Sequence, residues 1–177
     1  MAKLRRLKRT LVQKGHILDY YYDTMEMPDG KQAEWDLLDH KGAAAVVPVL
    51  DNGQIVLVRQ FRNAVDRETL EIPAGSLNYR GEPTKEAASR ELSEETGFSS
   101  DNIEFLLKFV PAIAYSTEVI DIYVARNLIP GKQHLDEDEY VEYEAFEIDD
   151  LITRILKGEI VDSKTVAAIL AYKEKYL

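Results

Sequence analysis

Residues 74–98 have the sequence AGSLNYRGEPTKEAASRELSEETGF, and this stretch decides how the rest of the chain is interpreted. Its second half is rich in helix-forming residues and is bounded by a proline and a glycine, which predicts a helix over 82–96. On such a helix Glu91, Glu94 and Glu95 stand at positions i, i+3 and i+4. Their carboxylates therefore share one face.

The shared acidic face indicates a bound cation if it is buried. Like charges at these spacings cost only about 0.2–0.5 kcal/mol per pair when they are exposed. Two carboxylates within ~4 Å in a half-buried cleft would repel by about 4 kcal/mol. Ligation by oxygen alone suits Mg²⁺ or Mn²⁺, which characteristically bridge to substrate phosphates. The alternative is a solvated acidic helix face, which composition alone would favour.

The flanking segments predict strands packed around this helix. The apolar runs AAAVVPVL (43–50) and QIVLVRQF (54–61) are joined by Asp51-Asn52-Gly53, which predicts a hairpin. Further strands are predicted over 16–23, 33–40, 68–73, 103–110, 118–126 and 141–148, and two C-terminal helices over 148–158 and 162–177. Strands with a few long helices predict a mixed α/β (α+β) sandwich, with residues 1–41 as a separate hairpin layer and 42–177 as the main domain.

Composition limits the classes of protein to consider. The chain has 177 residues, of which 45% are hydrophobic, enough for one well-filled core. It contains no cysteine, which excludes disulfides, cysteine nucleophiles and thiolate metal sites. The net charge of -10 repels nucleic acid and anionic membranes. No apolar run approaches the length of a membrane span, so we expect a cytoplasmic protein.

The N-terminus differs from the acidic body, because the first ten residues carry five cations and no acid. These cations are Lys3, Arg5, Arg6, Lys8 and Arg9. We expect a solvated, partly frayed terminus that leads into the first strand. Contact with nucleic acid or phosphate is the alternative.

The spacing of the acidic segment resembles the signature of the Nudix hydrolases, G-x5-E-x7-R-E-U-x-E-E-x-G-U, where U is a bulky apolar residue. The matching residues are Glu82, Arg90, Glu91, Leu92, Glu94, Glu95, Gly97 and Phe98. The glycine at the start departs from the pattern, since six residues instead of five separate Gly75 from Glu82. Either the loop carries one extra residue, or Ser76 has replaced the glycine.

The resemblance covers nearly the whole chain and narrows to one branch of the family. The segments VRQFR, ETLEIPAG and GEIVDSKTVAAIL are similar to those of the ADP-ribose pyrophosphatases, which hydrolyse nucleoside diphosphate sugars. This similarity implies a Nudix-type α/β/α sandwich with a mixed sheet. It also implies products that are a nucleoside monophosphate and a sugar phosphate.

The resemblance implies a metal site and a set of assisting residues. Glu91 and Glu95 would be the main ligands of Mg²⁺ or Mn²⁺, helped by the carbonyl of Ala74. Glu94 and Glu82 would bind further metal or hold the geometry of the site. Arg90 would orient the carboxylates through charge-assisted hydrogen bonds.

The same resemblance places a general base in the downstream loop Asp136-Glu137-Asp138-Glu139. Glu139 is favoured over Glu137 because it adjoins the strand that starts near Val141, so its backbone is better anchored. A solvated acidic loop is the alternative for each of these residues.

Residues that contact the substrate are expected on several elements. Arg62 matches a family arginine that grips the diphosphate, and a guanidinium fork suits that task. Arg59 and Glu118 are further candidates. Trp35 and Ile17 match positions that sandwich the base across a swapped homodimer in some relatives. Taken alone, a tryptophan in an alternating strand is more often a core residue.

Two departures bear on the identity of the substrate. Ile113 stands where relatives often carry the proline of a Ser-Pro-Gly turn, and Glu34 stands where they often carry an arginine. We therefore expect a nucleoside diphosphate sugar, with ADP-ribose as the first candidate and GDP-mannose and similar sugars still open. A nucleotide-sensing binding module and an RNA 5′-end pyrophosphohydrolase are the alternative functions. The retained acidic signature disfavours the first, and the acidic body disfavours the second.

Overall fold

The computed structural model describes residues 3–135 and 140–177 of the chain. Within these residues twelve strands and three helices are formed. The elements are β1 (Arg5–Lys14), β2 (Asp19–Glu26), β3 (Gln32–Asp39), β4 (Ala43–Pro48), β5 (Ile55–Arg62), β6 (Arg67–Glu71), β7 (Ala74–Ser76), α1 (Thr84–Thr96), β8 (Phe98–Ser99), β9 (Asn102–Phe109), β10 (Ile120–Arg126), β11 (Ile129–Pro130), β12 (Glu142–Phe146), α2 (Ile148–Leu156) and α3 (Ser163–Tyr176).

A four-stranded mixed sheet with the order β7-β4-β10-β9 forms the centre of the molecule. Strand β4 runs parallel to β10 and antiparallel to β7, and all six of its residues are buried. Its side chains alternate between the two faces of the sheet. Ala44 and Val46 pack on the side of α1, whereas Ala43, Ala45 and Val47 belong to the core on the opposite side.

The opposite face of the central sheet is covered by a second sheet and two helices. Strands β12-β5-β6 supply Ile55, Leu57 and Leu70 to this core, and helices α2 and α3 supply Leu151 and Ile169. The predicted α/β/α sandwich with a mixed sheet is therefore confirmed. In the described chain, none of the helices combines the length and apolar character required to cross a membrane.

Helix α1 ends at Gly97, as the sequence predicts. Gly97 has φ = 75°, in the left-handed region, and its N–H donates to the Ser93 carbonyl at 2.9 Å. A Cβ atom at this position would lie 2.8 Å from the carbonyl carbon of Lys132 and 2.9 Å from the nitrogen of Gln133. A glycine is thus required for the turn and for the segment packed against it.

The predicted hairpin between β4 and β5 is wrong. The turn is present, with Gly53 at φ = 88°, but the two strands diverge into different sheets. In the described chain, ladder pairing between these segments is a single bridge, Val49 to Ile55. Strand β4 and the first half of β5, residues 55–58, are apolar and buried throughout, so each must be covered on two faces, and crossing from one sheet to the other achieves this.

The prediction of a frayed N-terminus is also wrong, because β1 is a ten-residue strand. It pairs with β2, and β2 pairs with β3, so the N-terminal layer is a three-stranded antiparallel sheet. The three arginines of β1 pair with acids on β2, and one of these pairs is Arg6 with Asp23 at 3.6 Å. Arg5 binds Glu26 at 3.0 Å, and Arg9 binds both carboxylate oxygens of Asp23 at 2.7 Å. These cross-strand ion pairs hold the basic segment on β2, while nine of the ten residues of β1 stay exposed, as expected of a solvated terminus.

The N-terminal layer is attached to the main body at the end of β3. The Leu38 N–H donates to the Tyr115 carbonyl at 2.7 Å, and the Thr117 N–H donates to the Leu38 carbonyl at 3.0 Å. Arg80 binds Asp39 at 2.8 Å. The chain that follows, through His40, therefore enters the central sheet from a fixed point.

Candidate active site

The acidic face of α1 lies against strand β7. Glu91 and Glu95 are buried, with 7% and 3% of their surface exposed. The backbone N–H of Ala74 donates to Glu95 Oε2 at 3.0 Å. Small residues on the same buried side of α1, Ala87 and Ala88, lie one turn before Glu91 and pack on the central sheet, which allows the helix to approach this closely. The structure thus brings Ala74, Glu91 and Glu95 together, as expected.

Gly75 is where the strand passes closest to the acidic face. A Cβ atom there would lie 2.2 Å from Glu91 Oε1 and 2.4 Å from Glu91 Cδ, so any side chain would displace the carboxylate. Position 75 is consequently the one that requires glycine, and the additional residue lies in the loop before Glu82. That loop is closed by the Asn78 N–H, which donates to Glu82 Oε2 at 2.6 Å.

Arg90 gathers three of the glutamates predicted from the sequence. Its Nη1 donates to Glu91 Oε1 at 2.6 Å and to Glu94 Oε2 at 2.9 Å, while its Nε lies 3.9 Å from Glu82 Oε1. Its Nη2 donates to the Ser76 carbonyl at 3.3 Å. Burial lowers the pKa of Arg90, but the charges of Glu91 and Glu94 outweigh it and the pKa is raised overall.

The donor set of this acidic cluster fits a hard divalent cation. Glu82, Glu91, Glu94 and Glu95 offer carboxylate oxygens alone, the ligands that Mg²⁺ and Mn²⁺ prefer. Among the described residues, no group of three or more acidic or histidine side chains converges in metal-binding geometry as the side chains stand. Arg90 lies between Glu91 and Glu94 in this arrangement, so an incoming ion would compete with its guanidinium for their oxygens.

A cavity of about 300 Å³ opens beside β7. It brings together four of the residues singled out in the sequence, Ile17, Arg62, Ala74 and Glu118. The other residues that line it are His40, Ala43, Gly75, Ser76, Pro111, Ile120, Asp162, Ser163 and Lys164. Because Ala74 and Gly75 also contact the acidic helix, the cavity and the acidic cluster share one strand.

Arg62 is held at the cavity wall by a residue that the sequence analysis missed. Its Nε and Nη2 donate to the two oxygens of Glu71 at 2.8 and 2.7 Å. Lys164, a second missed residue, donates to Glu71 Oε2 at 2.5 Å. Burial raises the pKa of Glu71, but Arg62 and Lys164 outweigh it and lower the pKa to about 2.

His40 is a further cavity residue to which sequence reasoning assigned no role, because it shows no metal-ligand spacing. Its Nδ1 accepts from the Gly42 N–H at 3.1 Å, which assigns the proton to Nε2. Nε2 lies 3.1 Å from Ser76 Oγ, and Nδ1 lies 3.8 Å from Glu118 Oε1. This buried histidine is thus held at β7 through Ser76, and Glu118 lies beside its other ring nitrogen.

Other predicted site residues lie apart from this cavity. Trp35 is 46% exposed on β3, so it is not a core residue of this chain. Arg59 lines a separate surface depression with Glu142 and Tyr143. Glu137 and Glu139 lie outside the described residues.

The Glu71 pair predicts a specific acid sensitivity. A carboxyl whose pKa falls from 4.5 to about 2 on folding contributes stability that is present above pH 4.5 and lost as the pH falls towards 2. In Glu71→Gln this contribution, about 3 kcal/mol, is absent. Urea unfolding measured from pH 6 to 2 should therefore show a steeper acid loss of unfolding free energy in the wild type.

The control for that measurement is Glu68→Gln, an exposed carboxylate on the same strand. It should follow the wild-type curve. If the unfolding free energy of Glu71→Gln fell as steeply with acid as that of the wild type, the lowered pKa of Glu71 would be contradicted.

Comparison with known proteins places the chain in a family. The sequence profile of the NUDIX domain matches residues 39–169. An ADP-ribose pyrophosphatase of Bacillus subtilis is 36% identical over 157 residues, which are 88% of this chain and 84% of that protein. A methanol dehydrogenase activator of Bacillus methanolicus is 34% identical over 174 residues, which are 96% of this chain and 94% of that protein.

A solved structure described as an ADP compounds hydrolase has the same fold. Its TM-score is 0.85 at 23% identity, over 97% of this chain and 93% of that one. The resemblance carried by the acidic segment is thereby confirmed. The match to the domain profile and the level of identity over most of the chain lead to one conclusion: this chain belongs to the NUDIX family.

Proposed function

We propose that this protein hydrolyses the pyrophosphate bond of a nucleoside diphosphate sugar in a reaction that depends on Mg²⁺, with Mn²⁺ as an alternative. The observation that carries this proposal is the pair of buried carboxylates, Glu91 and Glu95, held by β7 beside a cavity of about 300 Å³. ADP-ribose is the first candidate substrate, since the relative from Bacillus subtilis is an ADP-ribose pyrophosphatase. The expected location is the cytoplasm.

In this proposal the acidic cluster binds the metal. Glu91 and Glu95, with the carbonyl of Ala74, would hold the ion, and Glu82 and Glu94 would supply further oxygen donors. A bound divalent ion neutralises the phosphate charge and makes bound water more acidic. Arg90 keeps Glu91 and Glu94 at fixed positions through its Nη1, so the carboxylates are ordered before the ion arrives.

The substrate occupies the cavity on the other side of β7. Arg62 turns a partly exposed guanidinium towards the cavity and is the candidate for binding the diphosphate. Ile17 and Glu118 line the same space, where they suit contact with the nucleoside. Trp35 acts across a dimer in this scheme, and Arg59 is the weakest candidate because it faces a different depression.

The metal assignment is tested by Glu91→Gln and Glu95→Gln. Each should lower turnover of ADP-ribose by about 10²-fold or more at saturating Mg²⁺, because a neutral amide is a poor ligand for a hard cation. The fold should stay intact or become slightly more stable as repulsion between carboxylates is relieved. Mass spectrometry of the products, over a panel of nucleoside diphosphate sugars, measures both turnover and specificity.

The matched control is Glu86→Gln, which removes one exposed carboxylate from the same helix. It should retain wild-type turnover. Binding of Mg²⁺ should raise the melting temperature of the wild type and of this control more than that of the two site variants. Full activity of both site variants would contradict the assignment of Glu91 and Glu95 as metal ligands.

We assign the general base to the loop of residues 136–139, with Glu139 preferred over Glu137. These residues lie outside the described chain, but the segment that leads into them is anchored on the acidic helix. The His134 N–H donates to the Glu94 carbonyl at 3.1 Å, and the Gln133 side chain donates to the Glu95 carbonyl. The described segment that precedes the loop, Gln133 and His134, therefore lies against the acidic helix, which supports the assignment.

Side-by-side kinetics of Glu139→Gln and Glu137→Gln test this assignment. Loss of the base should lower kcat by ~10²–10⁴ with little change in KM, because the base acts mainly in the transition state. The other variant should stay near the wild type across pH. If only Glu137→Gln is impaired, the choice within the loop is wrong; if neither is, the base lies elsewhere.

We also propose a homodimer formed through the N-terminal layer. Seven large apolar side chains of this layer are between 38% and 63% exposed in the single chain. They are Leu4, Leu7, Leu11, Val12, Ile17, Leu18 and Trp35. So much apolar surface on a thin sheet is typical of an interface, and Ile17 connects this surface to the cavity.

Light scattering at micromolar concentration tests the dimer. The wild type should have twice the mass of the chain, and Leu11→Lys in β1 should shift it towards the monomer and lower activity. Leu156→Lys, which places the same charge on an 81% exposed leucine of α2, should leave the mass unchanged. A fully active monomeric wild type would contradict the proposal.

A regulatory role is the second candidate function. It is favoured by the relative from Bacillus methanolicus, a methanol dehydrogenase activator similar to nearly the whole of this chain. The two candidates differ in one measurement. Binding of nucleoside diphosphate sugars without any hydrolysis in Mg²⁺ or Mn²⁺ would favour the regulator over the enzyme.

A further inference from the structure

A chain of alternating charges runs along one wall of the cavity, from β5 to the start of α3. Arg62 binds Glu71 at 2.8 and 2.7 Å, and Glu71 Oε2 accepts from Lys164 Nζ at 2.5 Å. Lys164 Nζ also donates to Asp162 Oδ2 at 3.0 Å. Two cations and two anions therefore alternate, and Lys164 stands between the two acids.

The geometry of the Arg62–Glu71 pair leaves part of the guanidinium available. The pair uses Nε and one hydrogen of Nη2, so Nη1 and the second hydrogen of Nη2 point away from Glu71. The side chain of Arg62 is 42% exposed and lines the cavity, whereas that of Glu71 is only 3% exposed. Glu71 thus sets the direction in which the open edge of Arg62 faces.

Lys164 bridges the two acids of this row of charges, Glu71 and Asp162. Glu71 Oε2 and Asp162 Oδ2 both lie within 3.0 Å of the same ammonium, whose side chain is 10% exposed. Without that ammonium two poorly hydrated carboxylates would face each other. The other cation that contacts these two acids is Arg62, which shares Glu71 Oε2 with Lys164. It would be drawn between the acids, and its open edge would turn away from the cavity.

Further hydrogen bonds hold the two acids of this row of charges, Glu71 and Asp162, in place. Asp162 caps α3 by accepting from the Thr165 N–H at 3.0 Å. The hydroxyl of Thr165 accepts from the Ile72 N–H at 2.9 Å, next to Glu71 in the chain. Thr69 Oγ1 donates to Glu71 Oε1 at 2.6 Å. With Glu71 and Asp162 held in this way, Lys164 and Arg62 are the members whose side chains can move.

We propose that Lys164 is a positioning residue that, through Glu71, holds the guanidinium of Arg62 in the orientation that binds the diphosphate of the substrate. This inference rests on the proposed function, in which Arg62 binds the diphosphate. Lys164 also lines the cavity, but its ammonium is bound to Glu71 and Asp162 and its side chain is only 10% exposed, so in this proposal it acts through Arg62 and not by contact with the substrate. A residue of the C-terminal helix thus orients the cavity arginine towards the two negative charges of the diphosphate.

Steady-state kinetics of Lys164→Met with ADP-ribose at saturating Mg²⁺ provide the first test. KM should rise by about tenfold, as expected for the loss of one charge-assisted contact, while kcat stays within about twofold. In an Arg62→Ala background, Lys164→Met should cause no further rise in KM. The control is Lys173→Met, which removes an exposed ammonium paired with Asp149 from the same helix and should match the wild type.

Effects on KM that multiply in the double variant would overturn the proposal, because they would mean that Lys164 contacts the substrate independently. A fall in kcat with KM unchanged would overturn it as well. Lys164→Arg, which restores a cation between the acids, should recover most of the wild-type KM. This variant also keeps the proposal testable if Lys164→Met does not fold.

A measurement without substrate separates this inference from the proposed function. The ¹⁵N-edited NMR signal of the Arg62 Nε–H, assigned by its loss in Arg62→Ala, reports whether the pair with Glu71 is intact. It should be sharp in the wild type, in Lys173→Met and in Lys164→Arg, and shifted or lost in Lys164→Met. An unchanged signal in Lys164→Met would overturn the positioning role, even if every nucleoside diphosphate sugar proved inert and the proposed function failed.

Discussion

The burial of two glutamates against strand β7 is the constraint on which the rest of the structure depends. Glu91 and Glu95 are almost inaccessible, and a buried carboxylate is costly unless polar groups or cations stabilise it. Neighbouring groups stabilise both carboxylates. The Ala74 N–H holds Glu95, the guanidinium of Arg90 holds Glu91, and the missing side chain of Gly75 leaves space for the Glu91 carboxylate.

The central sheet is built so that this contact is possible. Strand β4 presents alanine and valine to α1, and small side chains let a helix lie close to a sheet. Strand β7 is the antiparallel neighbour of β4, so its three residues are carried to the acidic face of the helix. Replacing either set of small residues by larger ones would move the carboxylates away from the strand that fixes them.

Two clusters of charged side chains lie near β7, one made mainly of carboxylates and the other of two cations that share one carboxylate. On one side, several carboxylates surround Arg90 and suit a divalent cation. On the other side, Arg62 and Lys164 share Glu71 and leave one guanidinium edge open towards the cavity. Under the proposed function, the diphosphate of the substrate would contact a cation held by the first system and the arginine of the second. Such an arrangement suits a pyrophosphate link more than a single carboxylate or a neutral sugar.

Local sequence was sufficient to determine the acidic helix. The spacing of Glu91 and Glu95 and the glycine after the helix depend on contacts within one turn, so periodicity and helix-end signals predicted them. The sandwich followed as well, because the order of strands and helices restricts the layers that can bury their apolar faces.

Contacts between distant segments were decided only by the tertiary structure. The divergence of β4 and β5 and the pairing of the basic β1 with the acidic β2 depend on which surfaces are covered in the folded chain. The link from Arg62 to Lys164 joins residues about a hundred positions apart, and Glu71 shows no local pattern that distinguishes it from a solvated acid. The sequence by itself therefore determined which residues carry the chemistry of the acidic helix. Packing between β5, β6 and α3 decided that Arg62 and Lys164 share Glu71, since a side chain's electrostatic partner is set by distance in space and not by distance along the chain.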